Sequence, residues 1–150
     1  MKEDSPFPAV IDVGVTMKTV QLLMASRFEE VVRPMGLTLG QWTVLRELKR
    51  SPGASASELA RAAFHTPQSF GSILQQMQAD GLVERTAGRG RIVDNRLTAK
   101  GRKVADESIA RLDAAVSPAL ERLDQTDLEE LLRLAEKLIA ALREPVQPAR

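Results

Sequence analysis

Apolar residues recur every three or four positions through most of this chain, the spacing of helices that bury one face. Val13, Met17, Val20, Met24, Phe28 and Val31 form the first such stripe, over about five turns. That helix is expected to begin near Ala9 and to stop at Pro34 and Gly36. Its length in so small a protein demands a partner to cover it. Trp42, Leu45 and Leu48 mark a second buried face, opened by Thr38-Leu39-Gly40-Gln41 as a capping box and ended by Ser51-Pro52-Gly53. Ser55-Ala56-Ser57-Glu58 is another box, and it opens a short helix with Leu59, Ala60 and Ala63 inward. Thr66 caps the next helix, with Pro67 at its first position, where a missing N–H costs nothing.

The helix from Pro67 to Asp80 sorts its residues by face. Phe70, Ile73, Leu74 and Met77 lie on one side, and Gln68, Ser69, Ser72, Gln75 and Gln76 largely on others. After Gly81 the period shortens. Residues 82–86 and 92–97 are β-capable runs joined by Ala87-Gly88-Arg89-Gly90-Arg91, which predicts a hairpin with a basic tip. Thr98 then caps a helix running through Val104, Ala105, Ile109, Leu112, Val116, Leu120 and Leu123, with a kink expected at Ser117-Pro118. Thr126-Asp127-Leu128-Glu129 reads as the box of a last helix, whose stripe is Leu128, Leu131, Leu132, Ala135, Leu138, Ile139 and Leu142. Residues 1–8 and 144–150 carry prolines and charges and are expected to be flexible ends.

A short helix, a tight turn, a polar-faced helix and a hairpin, in that order, are the parts of a winged helix-turn-helix lobe, here over residues 37–101. The second helix of such a pair enters the major groove of duplex DNA. Glutamine and serine suit that task because they both donate to and accept from base edges. An ordinary solvated helix is the competing reading. Solvated faces usually mix lysine and glutamate, however, and Asp80 is the one charged residue between Arg61 and Glu84.

Composition sharpens the picture in two places. The 150 residues, 43% apolar, are enough for one domain with a core, or for a small lobe with an oligomerising helical layer. The net charge of +1 hides a strong asymmetry: residues 85–103 hold seven basic side chains against Asp94, while residues 104–144 hold ten acidic against five basic. One surface is thus fitted to a polyanion and another is not. Arg89 and Arg91, alternating with Gly88 and Gly90, can reach into a minor groove or along phosphates, although a Gly-Arg run taken by itself also fits a mobile solvated loop. The DNA-contact candidates are Ser57, Thr66, Gln68, Ser69, Ser72, Gln75, Gln76, Arg85, Arg89 and Arg91.

Other chemistry lacks material. With one histidine, no cysteine and no tyrosine, nucleophile–base pairs and zinc sites lack raw material, and thiolate sites and disulfides cannot form, so no catalytic residue, metal or cofactor is expected. No run of about 18 apolar residues occurs, and Met1-Lys2-Glu3-Asp4 does not begin a secretory leader, which places the expected compartment in the cytoplasm, without a membrane partner. The rival function is a winged-helix module for protein–protein contacts, since a fold does not fix a function. Arginines at the wing favour DNA over that rival.

The stretch from Leu59 to Phe70, continuing to Gly81-Leu82-Val83-Glu84-Arg85, resembles the helix-turn-helix and wing of the MarR family. Leu97-Thr98-Ala99-Lys100-Gly101 resembles that family's exit from the wing, and residues 37–45 its second helix, so the likeness covers about residues 9–143. Three positions depart from it: Arg89 stands where the family's wing aspartate would fall, two before Arg91, His65 takes a turn position that is usually aliphatic, and Phe64 replaces a small residue. The resemblance implies a mainly α fold with a small β-hairpin wing and a helical dimerisation layer built from residues 9–33 and 119–143. Val13, Met17, Val20, Leu128, Leu131, Leu132, Leu138, Ile139 and Leu142 would line that layer, and the apolar stripes call for it independently, since they exceed what a small lobe covers. It further implies a homodimeric repressor on a pseudo-palindromic operator, released by a small, often aromatic or phenolic, effector. Met24, Arg27, Phe28 and Trp42 are candidates for an effector pocket between dimer layer and lobe, as flexible apolar walls with one cation. Apart from Arg27, the same residues also fit plain core.

Overall fold

The computed structural model describes residues 10–63, 66–88, 90 and 92–145. The readings placed on Phe64, His65, Arg89, Arg91 and the extreme ends lie outside the described residues. The chain divides into two compact units, residues 1–115 and 116–150.

In the first unit, α1 (Val10–Val32) runs into a 3-10 turn (Arg33–Met35) that contains Pro34. Gly36 closes this end in the left-handed conformation at φ 74°, so that its N–H reaches the Arg33 carbonyl at 2.9 Å. Thr38 then starts α2 (Leu39–Arg50) with the expected box: its hydroxyl accepts from Gln41 N at 3.2 Å, and the Gln41 side chain accepts from Thr38 N at 2.9 Å. Two short helices follow, α3 (Ala56–Ala62) and α4 (Pro67–Ala79). The hairpin is β1 (Val83–Ala87) and β2 (Val93–Leu97), antiparallel, with Val83 opposite Leu97 and Ala87 opposite Val93. Each strand starts one residue later than the β-capable runs. Leu82 N instead bonds Met77 O at 2.9 Å to finish α4, and Ile92 O closes the turn by accepting from Gly88 N at 2.7 Å.

One core holds this unit together. Val44, Leu45 and Leu48 of α2, Leu59 and Ala60 of α3, Phe70, Leu74 and Met77 of α4, and Val83 and Leu97 of the hairpin form a continuous buried cluster. Each of the large side chains among them stabilises by about 1.5–3 kcal/mol. From α1 only Val32 joins as a fully buried residue, with Phe28 and Val31 packed partly against it. Val10, Ile11, Val13, Val15, Met17, Val20, Leu22 and Leu23 remain exposed.

The long helix α5 (Ala99–Leu120) continues through Pro118 and ends at Leu120, not at Leu123. Pro118 falls in the last turn, where little helix remains to be bent, and the chain closes with Glu121 N on Ser117 O at 2.8 Å. In the second unit α6 (Gln125–Arg143) begins two residues earlier than a cap at Thr126 would start it. Asp124 is the cap, not Thr126: its carboxylate accepts from Asp127 N at 2.8 Å and the Asp127 carboxylate accepts from Asp124 N at 3.2 Å. As the capping group, the Asp124 carboxylate sets a charged acceptor at the partial positive end of the helix, where Thr126 would set a neutral hydroxyl. No residue of α6 is buried, and Leu131, Leu132, Leu134, Ile139 and Leu142 are exposed.

Candidate nucleic-acid interface

The site is built on α3, α4 and the hairpin. Ser55 starts α3: its hydroxyl accepts from Glu58 N at 3.2 Å and the Glu58 carboxylate accepts from Ser55 N at 2.8 Å. That backbone N–H of Ser55, then its hydroxyl, and the nearby Arg61 charge hold the Glu58 carboxyl below its ordinary pKa. Ser57 is exposed in the first turn of α3. Thr66 caps α4 through Ser69 N at 3.2 Å, with Pro67 at the first position, as the sequence requires.

The faces of α4 separate cleanly. Phe70, Leu74 and Met77 are 0% exposed, whereas Gln68, Ser69, Ser72, Gln75 and Gln76 are all exposed. The inward anchors therefore fix the roll of the helix about its axis and leave a stripe of amides and hydroxyls outward. Ser72 Oγ donates to Gln68 O at 3.3 Å, and Gln76 Nε2 donates to Asp80 Oδ1 at 3.1 Å. The Gln68 and Gln75 amides make no hydrogen bond to a described side chain, and so stand ready for an external partner.

The end of α4 is fastened to the start of α5. Thr98 Oγ1 donates to Gly81 O at 2.7 Å, Lys100 Nζ donates to Asp80 O at 3.0 Å, and Thr98 Oγ1 also accepts from Gly101 N at 2.9 Å. The first turn of α5 is thereby bonded to the turn that aims the polar helix. On the hairpin, Arg85 is half-buried and its Nε donates to Asn95 Oδ1 at 3.1 Å. Asp94 and Arg96 form an ion pair at 3.1 Å on β2, an acid–base pair internal to the hairpin.

The four effector candidates are partly gathered. Phe28 meets Trp42 edge to face with centroids 5.1 Å apart, Met24 is half-buried, and Arg27 is exposed. The cation at the Trp42 ring is Arg46, at 5.3 Å from the centroid, a residue the sequence reading passed over although it stands one helical turn from Trp42. Trp42 Nε1 is buried without a hydrogen-bond partner among the described residues. Surface cavities of 340, 260 and 430 Å³ are lined by other residues, around Gly53 and Leu59, around Pro52 and Arg102, and around Arg33 and Thr38. Among the described residues no cluster of histidine and carboxylates could hold a metal ion, and no helix is long and apolar enough to cross a membrane.

Comparison with known proteins agrees with this geometry. Residues 35–92 match the MarR family. The chain is 36% identical over 128 residues to the HTH-type transcriptional repressor Rv2887 of Mycobacterium tuberculosis, covering 84% of this chain and 92% of the relative. It is 30% identical over 132 residues to the homoprotocatechuate degradative operon repressor of Escherichia coli, covering 81% and 87%. The crystal structure of Rv2887 with p-aminosalicylic acid superposes with a TM-score of 0.70 at 35% identity, over 88% of this chain and 98% of that one. The structure of Rv2887 with DNA gives 0.69 at 32% identity, over the same shares. The mainly helical architecture with one antiparallel hairpin is that of these winged-helix proteins, and the chain belongs to the MarR family of transcriptional regulators.

Proposed function

We propose that this chain is a homodimeric repressor that binds a pseudo-palindromic duplex operator and leaves it when a small aromatic acid binds. The observation that carries the DNA part is α4: an uncharged stripe of exposed glutamines and serines backed by three fully buried anchors, beside a basic hairpin. Gln68, Ser69, Ser72, Gln75 and Gln76 read base edges, with Ser57 and Thr66 nearby at the starts of the two helices. Arg85, Arg89 and Arg91 supply phosphate or minor-groove contacts. A relative solved with DNA supports the same reading.

Dimerisation is supported by the exposed apolar residues of α1 and α6, among them Val13, Met17, Val20, Leu131, Leu132, Ile139 and Leu142, which few monomers leave in water. The effector class is supported by the relative solved with p-aminosalicylic acid and by the closeness of Phe28, Trp42 and Arg46, an aromatic pair with a cation beside it. Such a ligand, preferring the DNA-incompetent state, shifts the population away from the operator. The test is selection and sequencing of mixed genomic DNA fragments by the purified protein at low salt. An enriched inverted repeat is expected; a protein that enriches no sequence refutes the reading.

A further inference from the structure

The hairpin's inner face carries two polar residues where the pattern calls for apolar ones. Val83 and Leu97 are paired and buried on that face, and two residues along, Arg85 stands opposite Asn95. Asn95 is 0% exposed and its side chain is fully engaged. Nδ2 donates to Ala54 O at 2.8 Å and to Val93 O at 3.1 Å, while Oδ1 accepts from Arg85 Nε at 3.1 Å. The Asn95 carbonyl accepts from Gly53 N at 2.9 Å. One residue of β2 thus joins the α2–α3 connection by both side chain and main chain.

The fit around it is close. Gly53 has φ 90°, and a Cβ there would meet Arg96 Nη2 at 3.0 Å and the Asp94 carboxylate at 3.2 Å, the ion pair that flanks Asn95 on either side. Burying an amide carries a desolvation cost that a valine at the same position would avoid. What the amide adds is a grip on Arg85. That guanidinium is held through Nε, and its two Nη groups make no hydrogen bond to a described residue. A guanidinium fixed in this way offers a planar fork of donors, the geometry that meets phosphate oxygens in pairs.

We propose that Asn95 is a positioning residue for DNA binding: by holding Arg85 Nε and the Ala54 carbonyl together, it aims the Arg85 fork at a backbone phosphate and fixes the wing to the connection from which α3 departs. The proposal rests on the DNA-binding reading above. It is tested by fluorescence anisotropy across a salt series, using a labelled duplex enriched by the wild-type protein, with Arg85→Ala, Asn95→Ala, the double variant and Arg85→Lys. Arg85→Ala and Asn95→Ala are each expected to weaken binding about a hundredfold, the size of one hydrogen bond to a charged group lost in each of two protomers. Each should lower the log–log salt slope by about 1.8 in a two-fold dimer, and the double variant should bind no more weakly than Arg85→Ala. Additive losses, or an unchanged slope in Asn95→Ala, overturn the proposal and leave Asn95 a packing residue. Should Asn95→Ala fail to fold, Arg85→Lys decides, because it keeps the charge and the asparagine but has no fork. A loss equal to that of Arg85→Ala supports the device, and wild-type affinity and slope overturn it. A wild-type protein that binds no duplex at low salt refutes the DNA-binding reading itself, an outcome visible before any variant is compared.

Discussion

Replacing Gly101 by alanine sets two effects of opposite sign against each other. Gly101 lies in the first turn of α5, where alanine favours the helix by up to about 1 kcal/mol. The added Cβ, however, would overlap the carbonyl oxygen of Leu82 and stand 3.0 Å from its carbonyl carbon and 3.4 Å from its Cα. That carbonyl has nowhere to turn. It accepts from Thr98 N at 3.1 Å, Leu82 N is bonded to Met77 O at 2.9 Å, and the preceding Gly81 carbonyl accepts the Thr98 hydroxyl at 2.7 Å. The obstacle is main chain held from both sides, so relief requires α5 to draw away from the end of α4. Overpacking costs about 1–3 kcal/mol, and a backbone obstacle belongs at the upper end. Subtracting the helix gain leaves a destabilisation of about 2 kcal/mol, or a Tm lowered by roughly 4–8 °C in a chain of this size. Thermal unfolding followed by circular dichroism measures this, at one fixed protein concentration because association moves Tm. Lys100→Ala is the control: it removes one exposed bond to Asp80 O and should cost no more than about 1 kcal/mol. A Gly101→Ala protein that melts at or above the wild-type temperature would refute the close approach and the rigid coupling of α4 to α5 inferred from it.

Three other outcomes are expected. Leu131→Asp with Leu138→Asp should yield a monomer or an unfolded chain, since two charges would enter the pairing surface; light scattering that shows an intact dimer places the interface elsewhere. Arg89→Ala with Arg91→Ala should weaken binding to every sequence and lower the salt slope by about 3.6 if both arginines touch phosphate in both protomers, while Gln68→Ala or Ser72→Ala should cost about 1–3 kcal/mol on the preferred site only. An unaltered slope in the arginine variant makes the tip a solvated loop. Salicylate should quench Trp42 emission and release DNA, with Arg46→Ala weakening both; silence in both assays removes aromatic acids as effectors.

What could be read from the chain alone follows the range of the forces involved. The caps at Thr38, Ser55 and Thr66 were legible because each is a bond across three residues, and the outward stripe of α4 was legible because its period is set by the helix itself. The cap of α6 was misplaced by two residues because Thr126 and Asp124 both satisfy the local rule, and the stronger acceptor prevails. Asn95 could not be found at all. Its burial depends on the Ala54 carbonyl, 41 positions away, and a strand asparagine by itself signals a turn or an exposed edge. Arg46 was hidden for a different reason: on a helix surface a cation reads as solvated until the ring beneath it is known to be buried.

The bareness of α6 bears on how many copies of the protein a cell must keep. A helix of 19 residues with no fully buried side chain, and with only Leu128, Ala135 and Leu138 half-buried, takes little from its Asp124 box and from surface pairs such as Arg133–Glu130. With the pairing proposed above, a second chain would add folding free energy to this helix, and its order would then depend on concentration. A newly made protomer at low abundance would carry an unfolded, protease-sensitive C-terminal segment until it met a partner, and scarcity would hasten its own removal. Abundance of the regulator would therefore have a floor set by chain association, below which the cell loses the protein itself before it loses occupancy of the operator.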